Sequence, residues 1–377
     1  MRPSDQGQLP RIDDRPPIWA TVTTVALLVA GFRPRRFSSI PVDHTRRRPA
    51  SDEGRGRLAS APSEISARGW KDILFRVLHN ISEHRIIALA AGVTFYTLLA
   101  IFPAIAALVA VYGLFSDPAT LTVHLEKLSG LLPSGAIDVI RDELTRVTSQ
   151  RGSTLGLAFI VGLAVSLWSA NAAMKSVFDT LNIVYAETEA RSLIKLNAIS
   201  LALTAAGIVF MLVAIAALVV LPSALNYLGL SELTEFLVRV GSWPVLLAVL
   251  TFALAIVYRY APSREKPRWQ WITWGSAFAA FAWIAASMLF SWYAANFGSF
   301  NRTYGSLGAV IGFMTWIWLS AIVILIGAEL NAEMEHQTAR DTTTGAAEPM
   351  GARGARMADT VGPAQNWRAD DMPRRVS

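Results

Sequence analysis

Six stretches of the chain contain no Asp, Glu, Lys or Arg: residues 86–116, 152–174, 196–231, 240–258, 269–301 and 303–328. A hydrocarbon core about 30 Å thick takes roughly 20 apolar residues in a helix that rises about 1.5 Å per residue. Each run is therefore long enough to cross once. The fourth is the shortest at 19 residues. The two longest, 36 and 33 residues, fall short of the roughly 40 that two spans and their turn would need. The pattern predicts an all-α fold, a polytopic membrane helix bundle of six transmembrane helices.

Shorter amphipathic patterns flank these runs. In residues 69–85, Ile73, Leu74, Val77 and Ile81 recur at helical spacing, with Lys71, Asp72, Arg76, Asn80 and Glu83 on the other side. This predicts an interfacial amphipathic helix on the membrane, with Trp70 anchoring its start. Residues 121–148 repeat the pattern in two pieces, broken at Pro133, and predict two short helices on the outer face. Val177, Phe178, Leu181 and Val184 form a third stripe, with Asp179, Asn182 and Glu187 opposite. Such stripes report burial before anything else, so all three read as helices that shield the bundle ends. A further apolar stretch, residues 18–32, is too short to span. The arginines after it, Arg33, Arg35 and Arg36, oppose export as a signal peptide. Its surroundings are rich in Arg, Pro, Ser and Asp without periodicity, which predicts a disordered basic arm over residues 1–66. The membrane domain then covers residues 67–335, and residues 336–377 form a disordered tail.

Charge sets the orientation. The formal net charge of +6 comes largely from the arm, where 12 basic residues face 7 acidic ones in the first 68 positions. Basicity therefore describes an arm and not a folded nucleic-acid surface, and no nucleic-acid partner is expected. Cytoplasmic connectors hold an excess of Lys and Arg. Arg68, Lys71, Arg76 and Arg85 precede the first span; Lys175, Arg191 and Lys195 follow the second; Arg259, Arg264, Lys266 and Arg268 follow the fourth. The intervening connectors offer only Arg239 and Arg302. The connector at residues 115–151 is discordant, although five acids accompany its four bases. The alternation predicts both termini in the cytoplasm.

Candidate chemistry is sparse. Cys is absent and only 16% of residues are charged, against about a quarter in soluble domains. The five His are scattered, with no zinc-binding pair, no phosphate-binding loop and no nucleophile elbow. No catalytic residue, metal ligand or cofactor is expected. Any solute path through uncharged spans must be lined by neutral groups such as Thr94, Tyr96, Thr97, Asn171, Ser287, Tyr293 and Asn296, some of which bond their own helix carbonyls. Pro103 removes a hydrogen bond within the first span and predicts a bend. Gly305, Gly308 and Gly312 make a small-residue stripe suited to helix packing. Glu329, beside Asn331 and Glu333, is read chiefly as a solvated or structural interfacial charge, with a pairing to the 259–268 connector as the alternative.

Four segments, ALAAGVTFYTLLAIFPAI from Ala88, LWSANAAMKSVFDTLNIVY from Leu167, VYRYAPS from Val257 with WGSAFAAFAWIAAS after it, and YGSLGAVIGFMTWIWLSAIVILIGAELNAE from Tyr304, carry a resemblance to a family. In their order and spacing the chain resembles the YihY/BrkB family of bacterial inner-membrane proteins, formerly labelled ribonuclease BN-like, over about residues 69–335. The long arm before Gly69 departs from that pattern. The resemblance implies a six-span inner-membrane protein without an established molecular activity. The expected function is to transport or position a lipid or other amphiphile. The alternative is a non-enzymatic scaffold for envelope proteins, and a ribonuclease ranks last. Membrane lipids, envelope proteins and a second copy of the chain are the expected partners. Candidates for a polar path are Tyr96, Pro103, Asn171, Tyr293, Tyr304 and Glu329.

Overall fold

A computed structural model describes residues 54–115, 155–227, 232–297 and 308–364. The expected outer helices of residues 121–148, the apolar stretch 18–32, Tyr304 and Gly305 lie outside the described residues. Within them the architecture is all-helical, apart from one isolated bridge between Pro267 and Thr343. A 17-residue helix α1, Ala67–Glu83, leads into six long ones: α2 Ile86–Phe115, α3 Leu155–Val184, α4 Leu193–Tyr227, α5 Glu232–Tyr260, α6 Trp269–Phe297 and α7 Gly308–Glu335. The described part of each charge-free run lies within a single helix, and α2 continues through Pro103. Continuous helix is what lipid demands of such sequences, because backbone groups must be satisfied within the segment. Among the described residues, α4, α6 and α7 contain stretches long and apolar enough to cross a membrane, and shorter apolar stretches occupy α2 and α5.

Helix α7 is the hub. It packs against α1, α2, α3 and α6, while α2 packs on α3 and α5 on α6. Its closest approach is to α6. A Cβ on Gly327 would meet the Ala279 methyl at 2.5 Å, the Gly275 carbonyl at 2.8 Å and the Tyr258 hydroxyl at 2.9 Å. Only hydrogen fits there, so three helices can close on one point. Tyr258 on α5 locks the joint by donating to the Ile324 carbonyl at 2.7 Å. By contrast, a Cβ on Gly312 would meet nothing within 4 Å.

Four sequence expectations change. The stripe from Val177 to Val184 is not a separate interfacial helix but the end of α3, and it packs Phe178, Leu181 and Val184 into the core. Helix α1 buries Ile73 and Val77 of its expected apolar face, but also Asp72 and Arg76 of the side expected to be solvated, whereas Leu74, Phe75 and Leu78 are more than half exposed. The cause is a set of polar partners, Arg55 for Asp72 and Glu333 and Gln337 for Arg76, which outcompete solvent for that side of α1. The chain after His336, expected to be disordered as far as it can be followed, is packed through residue 364. Gln337, Thr338, Thr342, Met357 and Ala358 are buried. Its backbone pairs with earlier connectors: Ala339 N–H donates to Arg57 O, Arg268 N–H to Thr342 O, Thr344 N–H to Lys266 O and Glu265 N–H to Gly354 O. Composition alone could not reveal these partners, because they lie far away along the chain. Residues 54–66, counted with the disordered arm, likewise form a short 3₁₀ turn at Pro62–Glu64 and bury Arg57 and Ala59.

Candidate functional site

The last turns of α7 read Glu329-x-Asn331-x-Glu333-x-Glu335. Helical geometry sends residues four apart to one face, so Glu329 and Glu333 point one way and Asn331 and Glu335 another. On α1, Arg76 and Asn80, with His84 just past the helix end, line up in the same rhythm. The two rows meet antiparallel. Gln337 and Glu333 receive Arg76, Glu333 and Glu329 receive Asn80, and Glu329 receives His84. Asn80 Nδ2 donates to Glu333 Oε1 at 2.8 Å and to Glu329 Oε2 at 3.4 Å, and Arg76 Nη2 to Gln337 Oε1 at 2.9 Å. The tail closes the row, since Arg76 Nη1 donates to the Pro363 carbonyl at 3.0 Å.

The other face of α7 holds a second lock. Arg264 forms a two-pronged pair with Glu335, at 2.9 and 2.8 Å, and neither side chain reaches solvent. The Thr342 hydroxyl donates to the same carboxylate at 3.1 Å, and the guanidinium lies 4.0 Å from the centre of the Tyr185 ring. Burial works against the charged guanidinium, but Glu335 outweighs it and holds Arg264 above its ordinary pKa. Burial pushes the Tyr185 hydroxyl well above the tyrosine range. Asn331 accepts the Gly275 N–H at 2.9 Å. At His84 burial again opposes the charge, and Glu329, backed by Glu333 and Glu83, raises its pKa above the usual value.

Glu329 is therefore neither solvated nor paired with the 259–268 connector. It is fully buried and bound by His84 and Asn80, and the connector instead takes Glu335. His84, Asn80, Arg76, Arg264 and Glu335 were missed as a set. Their signal was present in the i, i+4 spacing of polar residues on α1 and at the end of α7, read separately and never matched.

The other candidates scatter. Tyr96 is partly exposed and meets Phe95 edge-on, with ring centres 5.6 Å apart. Asn171 is buried within α3, and its Oδ1 has no hydrogen-bond partner. Tyr293 is nearly half exposed. Several neutral hydroxyls serve their own helices, Thr94 donating to Ala90 O and Thr97 to Val93 O. Ser287 and Ser320 accept the indole N–H groups of Trp316 and Trp283. Among the described residues no group of three or more His, Asp or Glu could hold a metal ion.

Beside the polar row, a groove of about 420 Å³ opens where α1 turns into α2. It is lined by Ile81, Ser82, Arg85, Ile87, Ala88, Ala91 and Trp318. The turn itself is made by Arg85, whose φ of 53° breaks the helix between His84 and Ile86.

A family model described as virulence factor BrkB matches residues 77–351, from α1 through the packed tail. The chain belongs to the BrkB family. Relatives within reach of this BrkB-family chain include a "putative ribonuclease-like protein YfkH" of Bacillus subtilis, 30% identical over 64% of this chain and 88% of the relative. A "UPF0761 membrane protein" of Methylibium petroleiphilum is 25% identical over 74% of this chain and 66% of the relative. One of Haemophilus influenzae is 22% identical over 67% and 91%. The match therefore spans about two thirds of the Methylibium relative's length, and more of the other two. No solved structure matches the chain. The protein is a membrane protein of the BrkB/UPF0761 family.

Proposed function

We propose that this chain is a six-span bundle of the bacterial inner membrane, with both termini in the cytoplasm, that takes a lipid or other amphiphile from the side of the bilayer and positions or moves it. One observation carries the reading: the groove at the α1–α2 turn is lined mainly by apolar side chains of α1, α2 and α7, while the end of the bundle beside it is closed by buried ion pairs and the packed tail. An open apolar groove beside a closed end suits a molecule already dissolved in lipid. The topology draws support from the connectors. Residues 55–59, 185–191, 261–268 and 336–363 touch one another, and these include connectors whose Lys and Arg excess assigns them to the cytoplasm.

The ribonuclease wording belongs to the Bacillus relative's name. In this chain Glu329, Glu333 and Glu335 are each engaged by a cation or an amide, which leaves them unsuited to holding a catalytic metal.

Purified protein reconstituted in liposomes is expected to speed the transfer of labelled phospholipid between leaflets, and an unchanged rate overturns transport. Orientation is read from single cysteines, for which the Cys-free sequence is a clean background. Ser63→Cys and Ala346→Cys, both exposed, should react with an impermeant thiol reagent only after the cells are opened. Labelling of intact cells would overturn the topology.

A further inference from the structure

The lining of the groove combines two chemistries. It includes Arg85, exposed and without an ion pair among the described residues, and Ser82. The backbone there joins the C-terminal end of α1 to the start of the 30-residue α2, where the two helix dipoles oppose one another, so the positive charge is that of the Arg85 side chain. Of the acids close in sequence or in the polar row, Glu329 binds His84, and the half-exposed Glu83 lies 3.9 Å from His79 across one helical turn. The rest of the lining is apolar: Ala88 and Ala91, one turn apart on α2, with Ile81, Ile87 and Trp318. Trp318 spends its only donor on the Ile87 carbonyl at 3.0 Å, so this part of the lining offers a guest nothing polar. Ala91 lies about 9 Å beyond Arg85 along the helix, at about 1.5 Å per residue.

A cationic mouth above an apolar trough matches one class of molecule found in the bilayer. We propose that the groove is a binding site for an anionic phospholipid, its phosphate on Arg85 and an acyl chain along Ala88 and Ala91 beneath Trp318. The site names the substrate class for the lipid-handling function proposed above and rests on that reading. Arg85, with its φ of 53°, is the residue at which α1 gives way to α2, so the cationic residue sits at the junction of the two helices.

The test is native mass spectrometry of the full chain released from detergent containing equal amounts of phosphatidylglycerol and phosphatidylcholine. Wild type should retain phosphatidylglycerol in preference. A hydrogen bond to a charged group contributes about 1.5–3 kcal/mol, so Arg85→Gln should cut that preference by about tenfold or more, and Arg85→Lys should keep most of it. Ala91→Phe fills the trough and should lower retention of both lipids, while Arg68→Gln, at the far end of α1, should change neither. Should Ala91→Phe not fold, the two Arg85 variants decide the matter. Equal retention of the two lipids by wild type, or an undiminished preference in Arg85→Gln, overturns the site. The same preparations are assayed for transfer in liposomes. Transfer without a phosphatidylglycerol preference removes the site and leaves lipid movement standing. A preference lost in Arg85→Gln, with no transfer by wild type, sustains the site and removes movement.

Discussion

His84, at the turn between α1 and α2, shares a hydrogen bond with Glu329, 245 positions later in the chain. Asn80 and Glu333 flank the pair, and Glu83 adds to the field around the imidazole. Because folding raises the His84 pKa, its contribution to stability is fully present below the unfolded value of about 6.5. It is lost as pH rises through the higher folded value. In detergent, the difference in thermal midpoint between wild type and His84→Gln should therefore be largest in mild acid and shrink above neutrality. A difference that grows with pH would contradict the assignment.

Arg264 and Glu335 are both out of solvent. Removing one partner strands the other charge, at a cost of about 3–5 kcal/mol, whereas replacing both with apolar groups is often near neutral. Chemical denaturation should show Arg264→Leu and Glu335→Leu each strongly destabilising and the double variant far less so than their sum. Additive losses would mean the two charges do not depend on one another.

Gly327 has backbone, a methyl group and a phenol where a side chain would begin. Gly327→Ala should cost about 1–3 kcal/mol through overpacking. Gly312→Ala, facing open space, should be close to neutral. The comparison is made by thermal denaturation of the two variants side by side, and equal losses would argue against a tight α5–α6–α7 joint.

The inward polar face of α1 makes an unusual demand. Asn80→Leu, which makes the helix more hydrophobic, should destabilise by about 1–3 kcal/mol because Glu329 and Glu333 lose a donor. Leu78→Asn, on the exposed side, should stay within about 0.5 kcal/mol in detergent. The reverse ranking in urea titrations would restore the face expected from periodicity.

The helices were legible because lipid imposes a length and an absence of charge, and both are written along the chain in runs such as 269–301. Where the helices meet was less so. On α1, periodicity separates polar from apolar but cannot say that the polar side also finds partners, and those of Arg76 and Asn80 lie on α7 and the segment after it. Residues 336–364 misled for a related reason. Their composition is that of a loose tail, yet Arg353 reaches four carbonyls, those of Ala339, Arg340, Glu348 and Ala358, and ties the segment to itself. The groove has no sequence signature, since Ala88, Ala91 and Trp318 mean nothing together until α2 and α7 are side by side.

The antiparallel row between α1 and α7 has a bearing on biogenesis. Arg76, Asn80 and His84 leave the ribosome long before Glu329 and Glu333 exist, so the first part of the protein waits in the bilayer with its recognition groups unmatched. A nascent chain halted before α7 should thus be cut by protease within α1, and the finished one spared. Completion of the last helix becomes the event that certifies the first, and quality control can sort whole molecules from fragments at a single point of contact.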